Sequence, residues 1–344
     1  MRTRTAFSGV TVLGVLVALL WMPTAAQADL TGAGGDPSGY KVSVAINFTG
    51  NGVPGGSETH SVSVHPSCWW QPADGDYKNM KAMLAWYLGV TGPAGATTAG
   101  EIAEFGPLTA WQDAVTQEKA GAHLAWYLAH CDNPNDYTKF GISAQEGTDP
   151  VNGNGQNWQT YLYHAFVDGE PIPEPLVPTA ELARAADNEL VIPDPEVNWN
   201  PKVGADASTL VGLPTWFWVR EAAFLGDGNG ELTVKASLDA HPDVWAKVVA
   251  RTADDALTIH SAYGGNTCTR AEALVAYAGN PSAAGACTVT FSHSGPVSSV
   301  QATASTHWTA SWTGSDGDGG GLDDKFGHAN AAVSVIEVQN IVTR

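Results

Sequence analysis

Two short acidic loops hold the residues whose types and spacing best fit a chemical role, the binding of calcium. In GDGNGE, Asp227, Asn229 and Glu231 stand at alternate positions, as oxygen ligands do in calcium loops. Such a loop closes with a glutamate at its twelfth position, and here that position is Leu238. The first loop therefore has the opening spacing of a calcium site without its closing ligand.

The second acidic loop, GSDGDGGGLDD, offers Asp316 and Asp318 as candidate calcium ligands, followed by Asp323 and Asp324. Asp-Gly and Asn-Gly pairs are also common in tight turns. We favour turns over calcium sites for both loops, and calcium is the only cofactor that the sequence suggests.

The motifs of well-known catalytic sites are missing from the chain. It contains no G-x-S-x-G, no H-E-x-x-H, no phosphate-binding G-x-x-x-x-G-K-[ST] and no G-x-G-x-x-G before a helix. His123 and His130 are two helical turns apart on a predicted helix, too far to share a metal. The sequence favours a non-catalytic protein, with a secreted hydrolase acting on glycan or peptide as the alternative.

Tryptophan is abundant, with 13 residues in the chain. Trp69 and Trp70 follow Cys68, and we expect partial exposure there because adjacent side chains rarely both point inward. Trp216 and Trp218 lie in LPTWFWV and share one face of an extended segment. Exposed tryptophans would bind a glycan or an apolar partner, whereas buried ones would fill cores. For Trp216 and Trp218 we favour the core.

Four cysteines, Cys68, Cys131, Cys268 and Cys287, permit three disulfide connectivities. An exported protein favours disulfides over free thiols. Pairing within each half of the chain predicts Cys68–Cys131 and Cys268–Cys287. Zinc is the competing explanation, but no C-x-x-C or H-x-x-x-H accompanies these residues.

The first residues predict export. Arg2 and Arg4 precede an apolar stretch from Gly9 to Trp21, and Ala26-Gln27-Ala28 fits a cleavage site. We expect a signal peptide over 1–28 and no transmembrane segment in the mature chain. The localisation is then secreted, extracellular or associated with the cell envelope.

The net charge of the chain argues against one class of partner, the nucleic acids. The full chain has a net charge of −19. Cleavage after Ala28 would remove Arg2 and Arg4, leaving 14 of the 16 basic residues against 35 acidic ones, a net charge of −21. Such a chain repels phosphate backbones, so we exclude nucleic acid as a partner.

Periodicity divides the remainder into two parts joined by a connector. Residues 29–170 predict an α+β region, with a hairpin of 41–49 and 59–65, a helix over 76–88 and helical spacing across 107–130. The pentapeptide LAWYL occurs at 84–88 and again at 124–128. Residues 171–207 are proline-rich and contain one predicted helix, Thr179 to Leu190.

The pattern of residues 208–344 predicts several short strands, with turn-forming residues between them. The clearest run is Val300 to Trp312, where apolar and polar residues alternate. Six or seven such strands predict an all-β sandwich.

The chain resembles an actinobacterial family of secreted or membrane-anchored proteins of unknown function. The residues that carry the resemblance are LVGLPTWFWV (210–219), TAELARAADNEL with IPDP (179–195), Cys268 with Cys287, ASTHWTASW (304–312), VIEVQNIVT (335–343) and AWYLAHC (125–131). The resemblance implies a variable N-terminal half followed by an immunoglobulin-like, PKD-like β-sandwich. It also implies a first disulfide between Cys68 and Cys131.

Together these observations predict an exported, non-catalytic protein with two disulfide-linked parts. The N-terminal region would contact an unknown protein or glycan of the cell envelope, and the C-terminal sandwich would act as a spacer or assembly module.

Overall fold

The structure is a computed structural model, and it describes residues 40–92, 105–133, 136–138, 140, 142, 145–148, 156–159, 162–220, 230–279, 285–295 and 300–338. The predicted signal peptide lies outside these ranges. The chain is mostly β, with antiparallel pairing in every sheet except one short parallel pair.

The largest sheet has seven strands, in the order β16-β15-β12-β11-β1-β2, with β13 beside the second half of β12. Its strands are β1 (Val42–Thr49), β2 (Ser57–Val64), β11 (Glu231–Leu238), β12 (Trp245–Ser261), β13 (Gly264–Cys268), β15 (Val300–Gly314) and β16 (Gly319–Val333). Because β1 pairs with β11, this sheet contains strands from both sides of the predicted connector.

The pairing of the longest strands is irregular at two places. Strand β12 continues over 17 residues, and its register with β15 shifts between Thr252 and Leu257. A second shift, between Trp308 and Ala310, occurs where β15 pairs with β16. The shifts fall beside Asp254-Asp255 and Asp323-Asp324, acidic pairs of a kind that is common in turns. A bulge lets such a pair bend a strand without ending it.

Four small sheets complete the β structure. They consist of β14-β10-β8, β17-β9, β3-β4-β7 and β5-β6. Their strands are β3 (Cys68–Pro72), β4 (Leu124–Cys131), β5 (Gln145–Thr148), β6 (Gln156–Gln159), β7 (Tyr163–Val167), β8 (Val197–Asn200), β9 (Thr209–Leu210), β10 (Pro214–Val219), β14 (Thr288–Thr290) and β17 (Val335–Ile336).

Four helices lie in the described ranges: α1 (Met80–Thr91), α2 (Leu108–Lys119), α3 (Thr179–Glu189) and α4 (Arg270–Ala273). The expected helix in the connector is confirmed as α3, whose buried stripe includes Leu182 and Ala186. The helical prediction for Leu124 to Leu128 is wrong, because these residues form most of strand β4 between β3 and β7.

The main core lies on the inner face of the large sheet. Helix α3 packs against β11, β12 and β15 there, and Phe217 and Phe291 join the same apolar cluster from β10 and the chain after β14. The alternation of β15 explains which of its side chains enter this core: Val300, Ala302 and the even-numbered residues that follow point inward.

A second, aromatic core lies between the helices α1 and α2 and the sheet β3-β4-β7. Trp111 of α2 stacks on Trp126 of β4 with ring centroids 3.8 Å apart. The chain enters and leaves this unit at adjacent points. The backbone N–H of Ser67 donates to Leu176 O at 2.7 Å, and that of Leu176 donates to Cys68 O at 2.8 Å.

Candidate functional site

Of the first predicted calcium loop, only Glu231 can be placed. Asp227 and Asn229 lie outside the described residues, as the chain is not described over 221–229. Glu231 begins strand β11, and its carboxylate accepts a hydrogen bond of 2.6 Å from Nε of Arg251. Calcium binding by this loop remains a prediction.

The second acidic loop forms the turn between β15 and β16. Asp316 Oδ2 accepts a hydrogen bond of 2.8 Å from the hydroxyl of Thr179, the first residue of α3. Asp316 Oδ1 accepts from the backbone N–H of Asp318 at 3.1 Å. A carboxylate at a helix N-terminus is favourable in itself. These contacts give Asp316 a structural role in the turn and at the N-terminus of α3, and the second role was not predicted from the sequence.

Trp69 and Trp70 are both buried, so the expected partial exposure is wrong. Adjacent residues of β3 point to opposite faces of the small sheet, and both faces are covered. Trp69 stacks between Tyr40 and His130, whereas Trp70 packs edge-on against Phe166. Neither ring offers an open surface to a ligand.

Trp216 and Trp218 lie on one face of β10, as the spacing predicted. Trp216 is buried and meets Tyr277 edge-on, and Trp218 is partly exposed. Phe217, between them, points into the main core. The arrangement agrees with the core interpretation of this stretch for Trp216 and Phe217.

Both expected disulfides are present, Cys68–Cys131 and Cys268–Cys287, and the chain has no free cysteine. Cys68 and Cys131 are directly opposed on β3 and β4, so the first bridge joins two neighbouring strands. The second joins the end of β13 to the residue before β14.

A cluster of side chains centred on His307 of β15 was not predicted from the sequence. It lies on the side of the large sheet that faces away from the main core. His307 Nδ1 lies 2.7 Å from Asp255 Oδ1, and His307 Nε2 lies 3.0 Å from Asp324 Oδ2. Each aspartate belongs to one of the two strand irregularities described above, and the irregularities aim both carboxylates at the ring between them.

The electrostatics of this cluster favour a charged imidazole. Partial burial alone would lower the pKa of His307, but the hydrogen bonds and negative charges of Asp324 and Asp255 outweigh it and raise the pKa above its ordinary value. With a carboxylate on each nitrogen, neither ring nitrogen is free to act as a general base.

Phe326 lies beside His307, directly across the strand pair. The two rings stack with centroids 4.9 Å apart and planes 10° apart, and the ring of His328 lies 6.3 Å from that of Phe326. Among the Phe, Tyr and Trp side chains whose burial the structure describes, Phe326 is the most exposed, with 50% of its surface in solvent.

We call the five side chains of this cluster the outer face: Asp255, His307, Asp324, Phe326 and His328. The alternation of β15 placed His307 on the polar side, and that signal was available from the sequence. The bulges were not, because Asp254-Asp255 and Asp323-Asp324 look like ordinary turn residues without the neighbouring strands.

A second cluster, Glu58, His60 and Glu189, was also missed. Glu58 and His60 are alternate residues of the edge strand β2, and Glu189 is the last residue of α3. His60 Nδ1 lies 3.7 Å from Glu58 Oε1, and His60 Nε2 lies 3.3 Å from Glu189 Oε1. A sequence pattern could not find it, since strand and helix meet only in the fold.

Comparison of the chain with protein-family models, with curated proteins and with solved structures found no match. Within the described ranges, no helix is both long and apolar enough to cross a membrane.

Proposed function

We propose that the chain is an exported, non-catalytic binding module of the cell envelope or the extracellular space. Its two disulfides support a location in an oxidising compartment. In this proposal, residues 208–344 belong to an immunoglobulin-like, PKD-like sandwich, and residues 29–170 belong to an α+β region, as in the actinobacterial family that the sequence resembles.

The single observation that carries the binding role is the exposed ring of Phe326 in the outer face. The sequence analysis assigned contact to the tryptophan-rich region, but burial of Trp69 and Trp70 removes that surface. An exposed aromatic ring that stacks on His307, directly across a paired strand of the large sheet, is a preformed apolar platform.

The groups around this ring favour a neutral polysaccharide as the ligand. A sugar ring offers an apolar C–H face for stacking and hydroxyl groups at its edge. Asp255 and Asp324 are half-exposed and can accept hydrogen bonds from hydroxyls, while His307 fixes their position. The acidic chain, with its net charge of −19, opposes binding to anionic polymers.

Co-sedimentation with insoluble cellulose and with insoluble chitin tests this proposal. We expect the wild-type protein to pellet with at least one of the two, and Phe326→Ala to weaken that binding roughly three- to tenfold, since aromatic contacts contribute roughly 0.5–1.5 kcal/mol. Leu88→Ala is the matched control, because Leu88 is equally exposed, at 50%, on helix α1.

Failure of the wild-type protein to bind either polymer, or equal binding by Phe326→Ala, would overturn the proposal. The same incubation separates binding from hydrolysis. Soluble sugar released from the polymer would show that the alternative function, a secreted hydrolase, is correct and that the non-catalytic assignment is not.

A further inference from the structure

The cluster of Glu58, His60 and Glu189 brings together three side chains that bind metals, independently of the outer face. One candidate ligand atom from each residue lies within 4.8 Å of the other two. Among the described residues, it is the only such group of three or more His, Cys, Asp or Glu side chains.

The distances suit a small divalent ion. Zinc lies about 2.1 Å from nitrogen and oxygen ligands, so two ligands in a tetrahedral site are about 3.4 Å apart. His60 Nε2 lies 3.3 Å from Glu189 Oε1, close to that separation, whereas the 3.7 Å distance to Glu58 Oε1 starts from the other ring nitrogen, Nδ1. One ring nitrogen can bind the ion after a small rotation of exposed side chains, and His60 and Glu58 are each more than 40% exposed.

The framework around the cluster is fixed. The end of α3 is held by a backbone bond of 3.1 Å from Val191 N–H to Gly52 O, in the turn between β1 and β2. Gly52 permits this contact because a Cβ there would lie 2.5 Å from the side chain of Leu190. The ring of His60 stacks on buried Phe48 at 4.8 Å.

The two carboxylates repel each other in the absence of a cation. An imidazole nitrogen with two carboxylate oxygens is a ligand set for zinc and other transition metals, whereas calcium takes oxygen ligands only. Zinc or another divalent transition metal would neutralise the two carboxylates and bind the imidazole nitrogen of His60.

We propose that Glu58, His60 and Glu189 form a surface site for a divalent transition metal, with three protein ligands and an open coordination position. The site joins the edge strand β2 to the C-terminus of α3. It would therefore stabilise the protein on binding, because the ligands come together only in the folded chain.

Isothermal titration with Zn²⁺ alone, on the full-length protein, tests the site. We expect one zinc per chain at neutral pH and a rise in melting temperature with added zinc. His60→Gln and Glu189→Gln should each weaken binding at least tenfold. His241→Gln is the matched control, because His241 pairs with a single carboxylate, Glu174, at 3.2 Å.

The visible spectrum with Co²⁺ gives a second measurement that does not depend on stability. Bands of a four-coordinate cobalt site are expected in the wild-type protein and are expected to be lost in His60→Gln. Absence of zinc binding in the wild type, or equal binding by His60→Gln and the wild type, would overturn the proposal. Melting curves without metal identify any variant that fails to fold, and Glu58→Gln then replaces it.

Discussion

At the scale of single residues, His307 is the group through which pH should act on stability. Its pKa is raised in the folded protein by Asp324 and Asp255. The stabilisation is therefore fully present below the unfolded value, about 6.5, and is lost as pH rises through the higher folded value.

We expect His307→Gln to be less stable than the wild type at pH 6 by about 1–2 kcal/mol, somewhat below the roughly 1.5–3 kcal/mol typical of hydrogen bonds to charged groups, because both carboxylates are half-exposed. The difference should shrink as pH rises to 9. Urea unfolding at several pH values measures it, with His241→Gln, which removes an exposed histidine that pairs with the single carboxylate of Glu174, as the control. A difference independent of pH would contradict the argument.

Residue identity alone also misplaced several side chains. The acidic pair at 323–324 was predicted to belong to a turn or a calcium loop, and it lies instead in a strand irregularity that, with the one at 254–255, surrounds His307. Trp69 and Trp70 were expected to be partly exposed because adjacent side chains rarely both point inward, but residues distant in sequence cover both faces of their strand. The sequence shows on which face of a strand a side chain lies, but not which distant residues cover that face.

At the scale of elements, the two copies of LAWYL show how far local sequence determines structure. Residues 84–88 lie in helix α1, and the identical residues 124–128 lie in strand β4. Intrinsic preferences are the same in both, so tertiary pairing decides the outcome: β4 bonds to β3 on one side and β7 on the other. The repeat is therefore no evidence for duplicated structure.

Other elements were predictable from the pattern alone. Helix α3 and the alternation of β15 both follow periodicities that the fold retains, 3.6 and 2 residues. Strand partners were not predictable, because β1 pairs with a strand about 190 residues away, a contact no local window contains.

The attachment of α3 to the long hairpin gives a prediction at this scale. Lys325 Nζ of β16 lies 2.6 Å from Asp187 Oδ2 of α3, and both side chains are at least three-quarters buried. Lys325→Met would leave the carboxylate of Asp187 without its partner, so we expect a loss of about 2–4 kcal/mol.

The matched control is Arg220→Met, which removes the Arg220–Glu196 pair. Both of its side chains are about 70% exposed, and its loss should cost no more than about 0.5 kcal/mol. Chemical denaturation of both variants makes the comparison. Equal effects would show that the buried bridge has no special role.

At the scale of the whole molecule, the large sheet joins distant parts of the chain into one cooperative unit. Phe48 of β1 is fully buried in the main core with residues of β11, β12 and β15. Phe48→Ala should cost about 3–5 kcal/mol and lower hydrogen-exchange protection throughout 231–261. Protection lost only over 40–65 would instead mean that the N-terminal hairpin unfolds by itself.

The bonds between Ser67 and Leu176 have a consequence for how the protein can change. They hold together the two ends of the segment between residues 67 and 176. The aromatic unit of α1, α2 and β3-β4-β7 therefore begins and ends at adjacent points of the main body. Units with adjoining ends can be lost, lengthened or exchanged for another without altering the host scaffold. Trp69 is the contact such a replacement must supply again, since its stacking on Tyr40 reaches into the host core.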